Sequence, residues 1–303
     1  MVSDTSTSYS HLPVMVKEID EFFRHFRFKR VLDCTLGEGG HSEFFLENFS
    51  PDIFLTGIER DPAVYRIAQN RLERFKEKTQ LFNCSFSRID EILSQKEGVQ
   101  LFNCILFDIG ISSFHVDKSG KGFSFQKDEK LDMRFDPEEG EPASEVVNKM
   151  KKDDLADIFF YLGEERLSRR YAEAIFNYRK KKKIETSSEL GEIIRNAAPG
   201  PLKRSRIHPA TRVFQALRIF VNNELDEFKN ALEKSVSFLE TGGRLIVISY
   251  HSLEDRIVKT FFKGLDREDF LILTKKPLCP SPEEIKNNNR SRSAKMRVIE
   301  RVK

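Results

Sequence analysis

Short apolar segments that alternate with helical patterns are the feature that most constrains the fold of this chain. The clearest is Leu101–Asp108, a nearly continuous apolar run that ends in a carboxylate. Arg30–Thr35 and Ile53–Glu59 are similar, and a helical pattern opened by Pro62 follows the second of them. Strands that are apolar on both faces and alternate with helices are typical of a parallel sheet covered on each side. The sequence therefore predicts an α/β fold.

The strand pattern is interrupted once. Residues 114–207 contain loop-like stretches and helical patterns but no convincing strand. After them we expect a long amphipathic helix over 211–239, stopped by two glycines, and a strand over 244–250. This predicts a discontinuous sheet domain of residues 1–113 and 208–303, with an inserted all-helical domain of residues 114–207.

Composition narrows the classes of function. No apolar run approaches the roughly 20 residues that a bilayer span needs, and the first ten residues lack the apolar core of an export signal. The four cysteines form no C-x-x-C pair and have no partners at the spacing of a zinc site. We therefore expect a cytoplasmic protein with reduced thiols, no metal and no membrane association.

The charge is mildly basic, with a formal net charge of +3. Its distribution is more informative than its sum, because three basic clusters flank candidate site loops. They are Arg179–Lys183, then Lys203 with Arg204 and Arg206, and finally the stretch from Arg290 to Lys303. A charge run is usually a solvated face, but phosphate binding needs such clusters.

Polar residues follow three of the strands and indicate a nucleoside site. The first strand leads into the glycine loop Thr35–Ser42, which contains Gly37, Gly39 and Gly40. Glu59 ends the second strand, and Asp108 ends the fourth, which follows a short third strand at Leu81–Cys84. Ligands of open α/β sheets bind at the carboxyl ends of the strands, where a carboxylate can accept hydrogen bonds from ribose hydroxyls.

The glycine loop favours S-adenosylmethionine (SAM) over a dinucleotide. A dinucleotide fingerprint requires a third glycine where this chain has Ser42. In addition, Asp33 would place a negative charge near the pyrophosphate. An acidic edge suits a cofactor that has no phosphate and carries a positive sulfonium. An NAD enzyme remains the less favoured alternative.

A series of ordered motifs covers nearly the whole chain. They are His11–Met15, Thr35–Ser42, Gly57–Pro62, Asp108–Ser113, Gly122–Phe125, Leu131–Arg134, His208–Arg212, Phe214–Arg218, Ser249–Arg256 and Arg290–Lys295. Together they closely resemble the RsmH (formerly MraW) family of bacterial rRNA (cytosine-N4)-methyltransferases. The resemblance implies a Rossmann-like SAM-dependent methyltransferase sheet. It also implies methylation of a decoding-centre cytidine of 16S rRNA, on the 30S subunit.

The resemblance also implies which residues contact SAM. Carried over position by position, and together with Gly37 of the glycine loop, the expected contacts are Gly39, Gly40, His41, Glu59, Phe86, Asp108 and His115. Glu59 stands where the family pattern has Asp, and His115 stands where some relatives have Gln. Phe86 has core packing as its alternative role.

Methylation of cytosine N4 makes specific chemical demands, because the amine lone pair is conjugated with the ring. A site can hold N4 in line with the methyl group, accept hydrogen bonds from the amine and take up its proton. The segment after the fourth strand lacks the proline pair of the Asp/Asn-Pro-Pro-aromatic motif. Our hypothesis is that Asp108 polarises the amine, Ser112 or Ser113 orients the base, and His251 accepts the proton. A cofactor-only Asp108 and a structural His251 are the alternatives.

A base within a paired helix is inaccessible, so the target must be single-stranded or flipped. Candidate contacts to RNA are Phe123, Phe125, Arg134, Arg212, Arg218, Arg290, Arg292 and Lys295. The two phenylalanines have loop anchoring as their alternative, and Arg134 and Arg218 have ion pairs with Asp132 and Glu224. Two other classes stay open: a SAM enzyme that acts on a protein or small molecule, and a non-catalytic RNA-binding factor. The oligomeric state is not predicted.

Overall fold

The computed structural model describes residues 12–24, 26, 29–94, 100–205 and 207–303. His11, Arg206 and the polar first ten residues lie outside these ranges. The chain divides into two compact units, a sheet unit (up to Ser113, with Glu227–Lys303) and a helical unit (Phe114–Asp226). The sequence predicts an insertion that ends at Ile207, whereas the compact helical unit extends to Asp226.

The sheet unit is built on seven strands. They are β1 (Arg30–Asp33), β2 (Phe54–Glu59), β3 (Thr79–Asn83), β4 (Phe102–Asp108), β5 (Leu239–Ser249), β6 (Phe270–Ile272) and β7 (Lys295–Arg301). Their order in the sheet is β3-β2-β1-β4-β5-β7-β6. Neighbouring strands from β3 to β5 are parallel, and β7 is antiparallel to both of its neighbours. The α/β prediction is therefore confirmed.

Helices form the rest of both units. In chain order they are α1 (Val16–Phe23), α2 (Gly40–Asn48), α3 (Pro62–Leu72), α4 (Ile89–Leu93), α5 (Ser113–Asp117), α6 (Ala143–Lys149), α7 (Lys152–Tyr161), α8 (Ser168–Arg179), α9 (Ser187–Ala197), α10 (Gly200–Lys203), α11 (Thr211–Asn222), α12 (Glu224–Ser235), α13 (Ser252–Gly264) and α14 (Pro282–Asn287). Short 3₁₀ turns lie at Glu73–Lys78, Phe86–Arg88, Val236–Phe238 and Asn289–Ser293. In the described part of the chain, no helix combines the length and the apolar character that crossing a bilayer requires.

Apolar side chains on both faces of the sheet explain why its central strands are buried. Successive residues of a strand point to opposite faces. Accordingly Leu106 of β4 belongs to one buried cluster, while Ile105 and Phe107 belong to the other. Helices α1 to α3 cover the first face, and α4, α12 and α13 cover the second. The core thus lies on both sides of the central strands and fixes the positions of their carboxyl ends.

The long helix expected over 211–239 is two helices, so that prediction was wrong. Helix α11 ends at Asn222, and the next residue, Asn223, adopts a left-handed conformation with φ 50°. Asparagine tolerates this conformation at a helix end. The side chain of Asn222 donates to the Met133 carbonyl and accepts from the Phe135 amide, both at 2.8 Å. These bonds hold α11 against a loop of the helical unit. The two glycines expected to stop the helix lie in β5 instead.

Candidate active site

The glycine loop adopts a conformation that only glycine supplies easily. Gly37 and Gly39 have φ values of 53° and 82°, in the left-handed region where a side chain is strained. A β-carbon on Gly39 would also lie 3.5 Å from side-chain atoms of Arg71 and Leu72. The loop then enters α2 at Gly40. Its backbone can therefore approach a ligand closely at the carboxyl end of β1.

Glu59 ties the glycine loop to the end of β2. Its two carboxylate oxygens accept hydrogen bonds from the Gly37 amide at 3.0 Å and the Asp61 amide at 2.8 Å. Burial raises the pKa of Glu59 to about 7, against the opposing effect of these two bonds. Each oxygen keeps a second lone pair, so the carboxylate can still accept hydrogen bonds from ribose hydroxyls.

Asp33 is the second carboxylate at this edge and lies beneath the loop. It is 1% exposed, and it accepts hydrogen bonds from the Ser42 hydroxyl at 2.7 Å and the Thr35 amide at 3.2 Å. Burial raises its pKa, while nearby His41 acts in the opposite direction. Both of these hydrogen bonds lie within the loop, so Asp33 stabilises the loop from inside.

Asp108 is the third carboxylate, at the end of β4. Its Oδ1 accepts a hydrogen bond from the Tyr250 hydroxyl at 2.8 Å, and its Oδ2 lies 3.6 Å from Nδ1 of His41. Its backbone amide donates to the Thr35 hydroxyl at 2.6 Å. Burial raises the pKa of Asp108, although His41 and the Tyr250 hydroxyl favour the ionised form. A carboxylate with a raised pKa in such a position is suited to accept a proton.

His41 connects this carboxylate to the N-terminal segment of the described chain. Its Nε2 lies 2.8 Å from the Val14 carbonyl oxygen. Next to it, the Met15 amide donates to Glu284 of α14 at 2.8 Å. His41 is buried. Its orientation is thus set by the backbone of a residue 27 positions earlier in the chain.

His251 follows β5 and caps helix α13. Its Nδ1 accepts from the Glu254 amide at 3.4 Å, and Glu254 Oε2 accepts from the His251 amide at 3.1 Å. Its Nε2 lies 3.0 Å from Glu254 Oε1, an ion-pair distance without hydrogen-bond alignment. Both ring nitrogens therefore face Glu254, as in the structural alternative for this histidine.

The other expected residues of the sheet unit lie around the same strand ends. Phe86 begins the turn after β3, and its ring packs edge-on against Phe107 at a centroid distance of 6.0 Å. Ser112 and Ser113 follow β4, and Ser113 is 6% exposed. Phe86 therefore packs on the core, as its alternative role requires, while remaining only partly buried.

The aromatic candidates of the helical unit pack within that unit. The ring centroid of His115 lies 5.0 Å from those of both Phe123 and Phe135, and its side chain is almost fully buried. Phe125 stacks on His208 with centroids 4.3 Å apart and meets Phe214 edge-on. In this conformation Phe123 and Phe125 anchor their loop.

The arginine candidates of the helical unit differ in their partners. Arg134 pairs with Asp132 at 2.7 Å and Arg218 with Glu224 at 2.8 Å, each through two nitrogens. These are the ion pairs considered as alternatives. Arg212 is exposed and donates to a backbone carbonyl, that of Glu164, at 3.0 Å. Since a carbonyl is uncharged, Arg212 keeps a charge that can attract phosphate.

The basic candidates near the C-terminus belong to the sheet unit. Arg290 and Arg292 are exposed in the turn before β7. Lys295 begins β7 opposite Ser249, the last residue of β5. Lys295 therefore lies at the same edge of the sheet as the three carboxylates.

Three side chains that complete this edge have no role predicted from the sequence. They are Thr35, which holds the backbone of Asp108, Ser42, which bonds Asp33, and Tyr250, which bonds Asp108. Tyr250 directly follows β5, next to β4 in the sheet. Its position at a strand end was the available signal.

This arrangement fits SAM. Glycines open the backbone of the loop, and carboxylates end three adjacent strands, β2, β1 and β4. Such an edge favours a positive sulfonium and ribose hydroxyls and disfavours a pyrophosphate. The residues that would hold SAM are the loop glycines, Glu59 and Asp108.

The sequence of this chain is similar to those of several known proteins. The chain is 46% identical to ribosomal RNA small subunit methyltransferase H of Persephonella marina, over 96% of this chain and 99% of that protein. It is 44% identical to the same-named protein of Caldicellulosiruptor bescii, over 97% and 100%. It is 42% identical to that of Synechococcus elongatus, over 100% and 99%. A family model described as the MraW methylase family matches residues 8–302. The chain therefore belongs to the MraW methylase family.

Proposed function

We propose that this protein transfers a methyl group from SAM to the exocyclic N4 of a cytidine in the decoding centre of 16S rRNA, within the cytoplasmic 30S subunit. The relatives named ribosomal RNA small subunit methyltransferase H match nearly the full length of the chain, which supports the rRNA substrate. The observation that carries the chemistry is the Asp108 carboxylate, held at the end of β4 beside the glycine loop.

SAM, when bound, supplies an electrophilic methyl group on a positive sulfonium. The chain must then make a weak nucleophile reactive. Asp108 accepts a hydrogen bond from the N4 amine and stabilises the positive charge that develops as the new bond forms. It afterwards takes the proton that N4 loses. Its raised pKa matches this task, because a base works best when its pKa approaches the ambient pH.

Asp108 is better placed than His251 to accept this proton. His251 uses Nδ1 to cap α13 and directs Nε2 at Glu254. It would have to release that helix cap before it could act as a base. Asp108 requires no rearrangement, since its carboxylate accepts a hydrogen bond from Tyr250 and still has lone pairs to offer. Ser112 and Ser113 follow Asp108 closely in the chain and orient the base.

Basic residues of each unit bind phosphates of the rRNA. Lys295 lies at the catalytic edge, with exposed Arg290 and Arg292 just before it. We assign the helical unit to substrate recognition, and Arg212 provides a positive charge on it. The exposed lysines of the Arg179–Lys183 cluster add to this charge. Phosphate contacts of this kind give affinity and position without reading sequence.

The test is to incubate the protein with methyl-labelled SAM and unmodified 30S subunits, digest the rRNA and identify the labelled nucleoside. We expect N4-methylcytidine. Naked 16S rRNA is the matched substrate and should accept less label. Label in another nucleoside would refute the assigned atom, and label only in protein would refute the RNA substrate. Substrate binding that does not weaken with salt would also count against RNA.

A further inference from the structure

The Asp108 carboxylate contacts two side chains, Tyr250 and His41, and the two contacts differ in kind. Tyr250 donates its hydroxyl to Oδ1 at 2.8 Å, whereas Nδ1 of His41 lies 3.6 Å from Oδ2. The Asp108 side chain is 14% exposed and that of His41 is 7% exposed. Few water molecules can therefore reach the Asp108 carboxylate.

The contact with His41 depends on protonation. A carbonyl oxygen can only accept, so the 2.8 Å contact to Val14 places a hydrogen on Nε2 of His41. Neutral His41 then directs the lone pair of Nδ1 at the carboxylate, and only protonated His41 directs a hydrogen there. His41 is thus a conditional donor to Asp108.

The contact with Tyr250 does not depend on pH in the same way. Burial raises the pKa of Tyr250 well above its usual value, and the adjacent Asp108 carboxylate adds to the effect. The Tyr250 hydroxyl therefore keeps its hydrogen at neutral pH. The backbone of Tyr250 is anchored, because its amide donates to Glu254 at 2.7 Å. Its ring lies beside Gly110, where an added β-carbon would come within 3.3 Å of the ring.

We propose that Tyr250 is a positioning residue for methyl transfer, which keeps the Asp108 carboxylate oriented and ionised whatever the charge of His41. This inference rests on the proposed role of Asp108. The other groups that face Asp108 are Asp33 at the end of β1 and Glu254 on α13, both carboxylates. These two carboxylates oppose the ionisation of Asp108, as burial does. The Tyr250 hydroxyl favours the ionised form at every charge of His41.

The experiment is Tyr250→Phe, which removes one oxygen and keeps the ring. In the protein without SAM, the Asp108 titration is followed by carboxyl ¹³C NMR and assigned with Asp108→Asn. Removing a donor to the ionised form should move this titration up by about one pH unit. The acid limb of kcat should move with it, and kcat at neutral pH should fall about tenfold. The KM for 30S subunits should stay constant.

Tyr65→Phe is the matched control. Tyr65 belongs to the same unit, and its hydroxyl donates to the Leu81 carbonyl at 3.2 Å instead of to a carboxylate. It should leave the Asp108 titration and the pH profile unchanged. If Tyr250→Phe moves neither of them, the positioning role is refuted.

A second replacement covers the case in which Tyr250→Phe fails to fold. Incorporation of 3-fluorotyrosine at position 250 keeps the ring and makes the hydroxyl a stronger donor, so the acid limb of kcat should move to lower pH. A move to higher pH would overturn the inference. Label on an atom other than cytidine N4 would refute the proposed function, while the Asp108 titration would still decide the role of Tyr250.

Discussion

The carboxylates at the strand ends of the sheet unit and two carboxylates of the helical unit have different kinds of partner. In the sheet unit, Glu59 and Asp108 accept hydrogen bonds from amides and a hydroxyl, and burial raises their pKa values. In the helical unit, Asp132 pairs with Arg134 and Glu224 with Arg218. Burial acts to raise the pKa of Asp132, but its hydrogen bonds with Arg134 outweigh that effect and lower it.

The difference teaches where function can be inferred from residue type. A carboxylate that folding leaves without a cation has a raised pKa and can interact with a positive ligand. An arginine paired with a carboxylate of its own unit has little charge left to offer. The strand ends are therefore built for the chemistry, and several arginines of the helical unit stabilise that unit itself.

The largest effect is expected from Asp108→Asn. If the carboxylate stabilises charge and accepts the proton, kcat at saturating SAM should fall on the order of 100-fold. Steady-state methylation of 30S subunits measures this. Asp132→Asn is the contrasting variant of the helical unit and should lower stability while sparing kcat. An unchanged kcat in Asp108→Asn would leave Asp108 a role in cofactor binding alone.

Glu59 should make SAM binding depend on pH. With its pKa at about 7, the ionised form that accepts ribose hydroxyls predominates only above neutrality. SAM affinity should therefore rise between about pH 6 and 8, with release of protons. For stability the sign is opposite, because the pKa of Glu59 is higher in the folded protein than in the unfolded chain. The contribution of this carboxyl group to the free energy of unfolding is therefore present below pH 4.5 and is lost as the pH rises through 7.

Calorimetry of SAM binding with Glu59→Gln checks this dependence. We expect affinity to fall about tenfold at pH 8 and its pH dependence to flatten. Glu268→Gln, which removes an exposed carboxylate of the same unit, should behave as the wild type. Equal pH slopes in wild type and Glu59→Gln would show that another group titrates.

Arg218 and Arg212 of α11 separate stabilisation from substrate binding. Arg218→Gln leaves Glu224 without its cation, so the free energy of unfolding should fall by about 1–3 kcal/mol, as measured by chemical denaturation. Arg212→Gln should keep stability, raise the KM for 30S subunits a few-fold and reduce its salt dependence. If Arg212→Gln lowered stability and Arg218→Gln raised the KM instead, the contrast between an arginine paired with a carboxylate and one bonded to a carbonyl would be wrong.

The smallest effect is expected from the exposed lysines after α8. Lys181→Gln with Lys183→Gln should weaken 30S binding at low salt. The slope of log affinity against log salt should fall by about 0.7 for each phosphate that the two lysines neutralise in the wild type. Lys275→Gln with Lys276→Gln removes two exposed charges of the sheet unit as a control. Equal salt dependence of affinity in the two double variants would show that the lysine cluster is a solvated surface without a role in RNA binding.

Much of the sheet could be predicted from sequence, because its central strands are apolar on both faces and so differ clearly from their surroundings. The strand ends then located Glu59 and Asp108 without knowledge of the strand order. The break between α11 and α12 was missed because the apolar spacing continues past it. The Asn222–Asn223 pair was the local signal for that break.

The partners of the site residues could not be predicted in the same way. Tyr250 lies 142 positions from Asp108, and His41 lies 27 from Val14. Such contacts depend on which strands become neighbours, and only β5 beside β4 brings Tyr250 to Asp108. Similarly, sequence offered both roles for Phe125, and its packing on His208 depends on the helical unit.

The pairing of β4 with β5 also bears on how the protein is made. β4 is complete at Asp108, but β5 begins only at Leu239, after the whole helical unit. A nascent chain therefore carries β4 as an unpaired, apolar edge while more than a hundred further residues are synthesised, and such edges invite aggregation. The growing chain already contains the glycine loop and all three carboxylates. It lacks Tyr250 until β5 has been synthesised, so the Asp108 carboxylate gains its hydroxyl donor only after β5 has paired with β4.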